Sequence, residues 1–132
     1  MSIWTHVNAS IRIDALRFEK SKKINFEDLL VVSTYENPNP DTTLPCGSEG
    51  SLEWSLWKNP SESSLFSYNL NIFGDLRDYS SENKSELIDW WKKLLKNFYV
   101  RQAVLQVEFE DEERCYIYNE NGKKVANYKI EY

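Results

Sequence analysis

Hydrophobic and polar residues alternate along much of this chain. From Ile3 to Leu16, Ile3, Thr5, Val7, Ala9, Ile11, Ile13 and Ala15 fall on one side, and Trp4, His6, Asn8, Ser10, Arg12 and Asp14 on the other. A period of two held this long predicts a strand buried on one face only. Ser51–Trp57 alternates in the same way around Leu52, Trp54 and Leu56. Leu65–Phe73 does so with Phe66, Tyr68, Leu70 and Ile72 inward and Ser67, Asn69 and Asn71 outward. The polar connector Lys58–Ser64 makes these two a β-hairpin. Val100–Phe109 predicts a further strand with Ala103, Leu105, Val107 and Phe109 inward. Arg114–Asn119 and Lys124–Tyr132, joined across Asn121-Gly122, predict a C-terminal hairpin.

One segment changes period. Leu87, Ile88, Trp91, Leu94, Leu95 and Phe98 recur at helical spacing. Ser81 or Asn83 stands where an N-cap is needed, and Glu86 follows Asn83 by three residues. Lys92, Lys93 and Lys96 lie toward the end where the helix dipole favours cations. Trp90 falls at the margin of the apolar stripe. Asn25–Leu30 predicts a short helix capped by Asn25, although Val31–Tyr35 pulls back toward strand. Glu36–Gly50, which holds three of the four prolines, reads as a long irregular loop.

The elements predict an α+β fold: an antiparallel sheet with one main helix packed on one face, a split β-α-β arrangement extended by a C-terminal β-hairpin. Residues 1–132 fit one domain. Hydrophobic residues make up 41% of the chain and aromatics 14%, which is enough for a core and argues against disorder. The sequence contains no 18-residue apolar run and opens on neither a basic nor an apolar leader, so the expectation is a cytoplasmic protein without a membrane span. Cys46 and Cys115 stand in unlike contexts, and in a reducing compartment they are expected to be thiols.

The net charge of −5 has an uneven source. Glu108, Glu110, Asp111, Glu112 and Glu113 hold five negatives with no base among them, whereas Arg12, Arg17, Lys20, Lys22 and Lys23 make the opening residues basic. No basic stripe runs over the chain, so general nucleic-acid binding is not expected; capture of one small anion is compatible with this pattern. One His and two distant Cys provide no metal-ligand spacing, and neither a cofactor nor a catalytic motif is predicted.

Three places could carry chemistry. His6 is the only histidine; Asp14 lies about 26 Å along the strand and cannot orient it. Gly47-Ser48-Glu49-Gly50-Ser51 could present backbone amides to an anion, or serve only as a turn. Gly74–Tyr79 sets Asp75, Arg77 and Asp78 where a strand hands over to the helix; Arg77 could grip an anion or pair with Asp75 or Asp78. If the first strand lies beside Leu65–Phe73, the polar faces merge. His6, Asn8, Ser10 and Arg12 would then lie beside Ser67, Asn69 and Asn71, with Trp4, Trp57 or Phe73 to stack on a planar ring. The predicted ligand-binding set is His6, Asn8, Arg12, Trp57, Asn69, Asn71, Asp75, Arg77 and Asp78, with no catalytic or metal-binding residue.

Met1-Ser2-Ile3-Trp4-Thr5-His6-Val7-Asn8, Pro45-Cys46-Gly47-Ser48-Glu49-Gly50-Ser51-Leu52 and Phe73-Gly74-Asp75-Leu76-Arg77-Asp78-Tyr79 together resemble small uncharacterised proteins encoded by bacteriophages and prophages. The resemblance covers most of the chain and brings no established activity or site with it. It implies a host-defence antagonist, which would either occupy a defence protein or sequester its nucleotide-derived signal. Three functions follow as expectations. The first is a non-enzymatic binder of a small anionic or nucleotide-like ligand, between sheet and loops or at a homo-oligomer interface. The second is an inhibitor of a host protein through the acidic turn or an edge strand. The third is a small hydrolase or nuclease using His6 with Asp75 or Asp78.

Overall fold

The computed structural model describes residues 2–14, 26–30, 44–58, 67–111, 114–119 and 124–129. The alternating segments become strands: β1 (Trp4–Asp14), β2 (Leu52–Lys58), β3 (Ser67–Arg77), β4 (Val100–Phe109), β5 (Arg114–Tyr118) and β6 (Lys124–Lys129). Helix α1 (Phe26–Leu29) is a single turn, and α2 (Lys84–Leu95) is the main helix. Among the described residues the six strands form one sheet in the order β2-β3-β1-β4-β5-β6, and each adjacent pair is antiparallel. Because β3 and β4 both run antiparallel to β1 between them, they are parallel to each other and connected through α2. This is the predicted split β-α-β unit, with β5–β6 as the C-terminal hairpin.

The alternation of β1 assigns its faces as read. Thr5, Val7, Ala9, Ile11 and Ile13 are buried, and Asn8 and Arg12 are exposed. Leu70, Ile72 and Leu76 of β3 and Ala103, Leu105, Val107 and Phe109 of β4 continue the same inner face. Helix α2 covers it with Leu87, Trp90, Trp91, Leu94 and Leu95 in one apolar cluster. At the helix end, Phe98 stacks on Phe26 at a centroid distance of 5.7 Å, and Phe26 also meets Trp54 at 6.4 Å. One ring of α1 thus joins the end of α2 to the edge strand β2.

Three local expectations need correction. β3 does not stop at Phe73 but runs to Arg77. Gly74 stands at an inward position between Ile72 and Leu76, and a Cβ there would lie 2.6 Å from the Ser51 carbonyl oxygen. The missing side chain lets the Ser51–Leu52 backbone approach, so what looked like turn chemistry is a strand interior. Asn83 holds the N-cap position of α2, as read, but makes no side-chain capping bond there. The side-chain cap lies one turn earlier at Ser80, whose hydroxyl accepts from Glu82 N–H while Asn83 Oδ1 accepts from Ser80 N–H, a capping box on the 3₁₀ turn Ser81–Asn83. Trp90 is buried, not marginal. Asn25, Val31–Tyr35 and the Asn121-Gly122 turn lie outside the described residues.

Candidate functional site

No described element covers the outer face of the sheet, and its side chains stand in rows set by strand register. One row is Trp57, Asn69, Arg12 and Gln102; the next is Ser55, Asn71, Ser10 and Val104; then come Glu53, Phe73, Asn8 and Gln106. Ser10, Arg12, Trp57, Asn69, Gln102 and Val104 line a hollow of about 390 Å³ on this face. Trp57 is 50% exposed, and Arg12 forms no ion pair among the described residues. A guanidinium carries a planar fork of N–H donors that matches a carboxylate or phosphate.

The carboxamides beside it are already ordered. Ser10 Oγ donates to Asn69 Oδ1 at 3.3 Å, and Asn69 Nδ2 donates to Asn71 Oδ1 at 3.1 Å. This chain crosses from β1 to β3 and orients the Asn69 amide. The hollow therefore combines a cation, an exposed indole, oriented amides and the Val104 side chain, the mixture that small-molecule sites use.

At the other end of the face the groups are committed to one another. His6 Nδ1 is 2.7 Å from Asp75 Oδ1, and Nε2 is 2.9 Å from Glu110 Oε2. Burial draws the imidazole pKa down, but the hydrogen bonds and charges of Asp75 and Glu110 outweigh it and leave the value raised above 6.5. A carboxylate on each ring nitrogen favours the protonated form of His6 and leaves neither nitrogen for a nucleophile. Glu110 also accepts Trp4 N–H at 3.1 Å, and its own N–H donates to the Trp4 carbonyl at 3.1 Å.

Arg77 and Asp78 are taken up by the glycine loop. Arg77 Nη1 pairs with Glu49 Oε1 at 2.6 Å, and Arg77 Nε donates to Ser2 Oγ at 2.8 Å. Asp78 accepts from Ser48 Oγ. Gly47 N–H donates to the Gly50 carbonyl, closing the loop on itself, and Ser48 N–H donates to the Arg77 carbonyl, holding the loop against β3, so both amides are engaged within the fold. Neither Asp75 nor Asp78 is the partner of Arg77. The acidic turn is engaged as well: Asp111 accepts from both the N–H and the hydroxyl of Ser81 at the entrance to α2.

Of the nine predicted residues, Arg12, Trp57 and Asn69 line the hollow, and Asn71 adjoins it through Asn69. Asn8 is exposed on the same face one row further. His6, Asp75, Arg77 and Asp78 stand apart in the two clasps. The reading of the sequence missed Gln102 and Val104, because it did not pair β4 with β1. Their outward phase, alternating with Ala103 and Leu105, is the signal that could have found them. Among the described residues no cluster of His, Cys, Asp or Glu could hold a metal ion, and no helix is long and apolar enough to cross a membrane. Compared with protein-family models, curated proteins and solved structures, the chain matches none.

Proposed function

We propose that this protein is a non-enzymatic binder that captures a small anionic, nucleotide-like ligand in the hollow on its open sheet face. The observation that carries this reading is Arg12: an exposed guanidinium with no ion-pair partner among the described residues, set between an exposed indole and two carboxamides. Arg12 takes the charge, Trp57 the planar ring, and Asn69 and Gln102 the polar edge. In the bacterial cytoplasm, removal of a nucleotide-derived signal would serve the host-defence antagonism that the phage-like resemblance implies.

Inhibition of a host protein through the acidic turn draws less support, because Glu110 and Asp111 already bond within the fold. Hydrolysis through His6 and Asp75 draws less again, since both imidazole nitrogens face carboxylates. Native mass spectrometry of protein purified gently from a bacterial host tests the proposal. The expected result is a small-molecule mass that disappears on denaturation and is missing from Arg12→Ala. A bare mass, together with a host protein retained equally by wild type and Arg12→Ala, would transfer the function to a protein partner.

A further inference from the structure

We infer that the hollow is built for a ligand with one heterocycle and one anionic group, a nucleoside monophosphate in preference to a nucleoside or a polyphosphate. The inference rests on the binding reading above and narrows it to a chemical class.

Size sets the first limit. A volume of about 390 Å³ lies near the lower end of the roughly 300–1,000 Å³ typical of small-molecule sites. One base with its sugar and phosphate suits it, whereas a dinucleotide would extend beyond it. Charge sets the second. Arg12 is the one cation among the six lining residues, and none of the six is acidic. Its fork takes two oxygens of one phosphate. Further phosphates gain no second cation from the lining, and Glu53, Asp75 and Glu108 wait two and three rows away on the same face.

The polarity of the amide chain supplies the third. Ser10 has its hydroxyl hydrogen on Asn69, so its oxygen can accept; among the described residues the Asn69 amide donates only to Asn71. Gln102 offers both a donor and an acceptor. A bare anion needs donors alone. Mixed donors and acceptors around an exposed indole match the edge and face of a nucleobase.

Isothermal titration of the full chain with AMP, GMP, CMP and UMP, then with the nucleoside, diphosphate and triphosphate of whichever binds best, tests this. Inorganic phosphate completes the series. The nucleoside and inorganic phosphate should each bind at least about tenfold more weakly than the monophosphate, since each lacks one half of the recognition. The di- and triphosphate should each bind at least about threefold more weakly than the monophosphate, since the added charge meets no second cation in the lining. Arg12→Gln should reduce the monophosphate to the level of the nucleoside, and Trp57→Leu to the level of phosphate.

Affinity that climbs steadily from mono- to triphosphate would overturn the one-anion assignment and leave the hollow as the site. Loss of monophosphate binding in a Lys20→Gln, Lys22→Gln, Lys23→Gln variant would overturn it as well, by moving the cation away from Arg12. If no nucleotide binds but another small molecule copurifies and is lost with Arg12→Gln, the inference fails and the binding reading stands. If no nucleotide binds and nothing copurifies, both fail.

Discussion

His6 on β1 and Asp75 on β3 face each other directly across the sheet, imidazole Nδ1 to carboxylate Oδ1 at 2.7 Å, although 69 residues separate them in the chain. Glu110 closes on the opposite ring nitrogen at 2.9 Å, and Glu108 stands across from His6 on β4. A neutral imidazole has one N–H, so only the protonated ring can donate to both carboxylates at once.

This makes stability depend on pH with a definite sign. The folded pKa of His6 is raised above the unfolded value near 6.5, so the folded state holds the proton more tightly. The stabilisation is fully present below pH 6.5 and disappears as pH rises through the folded pKa. All three side chains are well exposed to solvent, which keeps the effect within the range of surface pairs, about 0–1 kcal/mol. Thermal unfolding of wild type and His6→Gln between pH 6 and 9 should show a wild-type advantage of roughly 1–3 °C at the acid end that vanishes at the alkaline end. A gap that widened with pH would mean that the clasp does not hold the proton.

Gly50 tests the docking of the 47–51 loop. Its φ is +76°, and a Cβ would fall 2.2 Å from the Asp75 carbonyl oxygen. Gly50→Ala adds both a conformational penalty and a clash with backbone that cannot swing aside, and should cost about 1–3 kcal/mol by urea denaturation. Ser48→Ala, which removes a hydroxyl from Asp78 without disturbing the backbone, should cost less than Gly50→Ala. The reverse order would show that the hydroxyl, not the close approach, seats the loop.

Thr5 is the one polar residue buried on the inner face of β1, and its hydroxyl donates to the Tyr79 carbonyl just ahead of the helix cap. Valine has nearly the same shape but no donor. Thr5→Val should therefore cost about 1–3 kcal/mol by leaving that buried acceptor unmet, while Thr5→Ser should retain the bond and lose only a methyl group. Equal stability of Thr5→Val and wild type, measured by denaturant midpoint at constant m-value, would remove the bond from any role in holding β3 and α2 in place.

The sheet was legible because β1 alternates without interruption and β4 does so from Gln102 to Phe109, and α2 because Leu87, Trp91, Leu94 and Leu95 repeat at helical spacing. The last four residues of β3 were not. Gly74 and its charged neighbours carry the composition of a turn, while the inward phase of Leu70, Ile72, Gly74 and Leu76 carries the pattern of a strand, and the pattern prevails. For the site, the merging of the β1 and β3 polar faces was readable, and it placed Arg12, Asn69 and Trp57 correctly on one face. Asp75 beside His6 was among the readings, but Glu110 on the other ring nitrogen and Glu49 on Arg77 were not, because they reach these groups through tertiary register and not through local spacing. A fully matched charge and an unmatched one look alike in a sequence; Arg77 and Arg12 differ only once their neighbours are in place.

The central position of β1 has a consequence for how the molecule comes together. Both of its hydrogen-bonding edges wait for segments far along the chain, and the Ser10–Asn69 bond alone closes a separation of 59 residues. Such distant closures slow folding, and until they occur an apolar strand with two open edges is exposed to other chains. The hollow takes residues from β1, β2, β3 and β4, so it does not exist until those strands have assembled. A ligand there can select only the finished sheet, and its concentration would govern how much of the chain survives as folded protein.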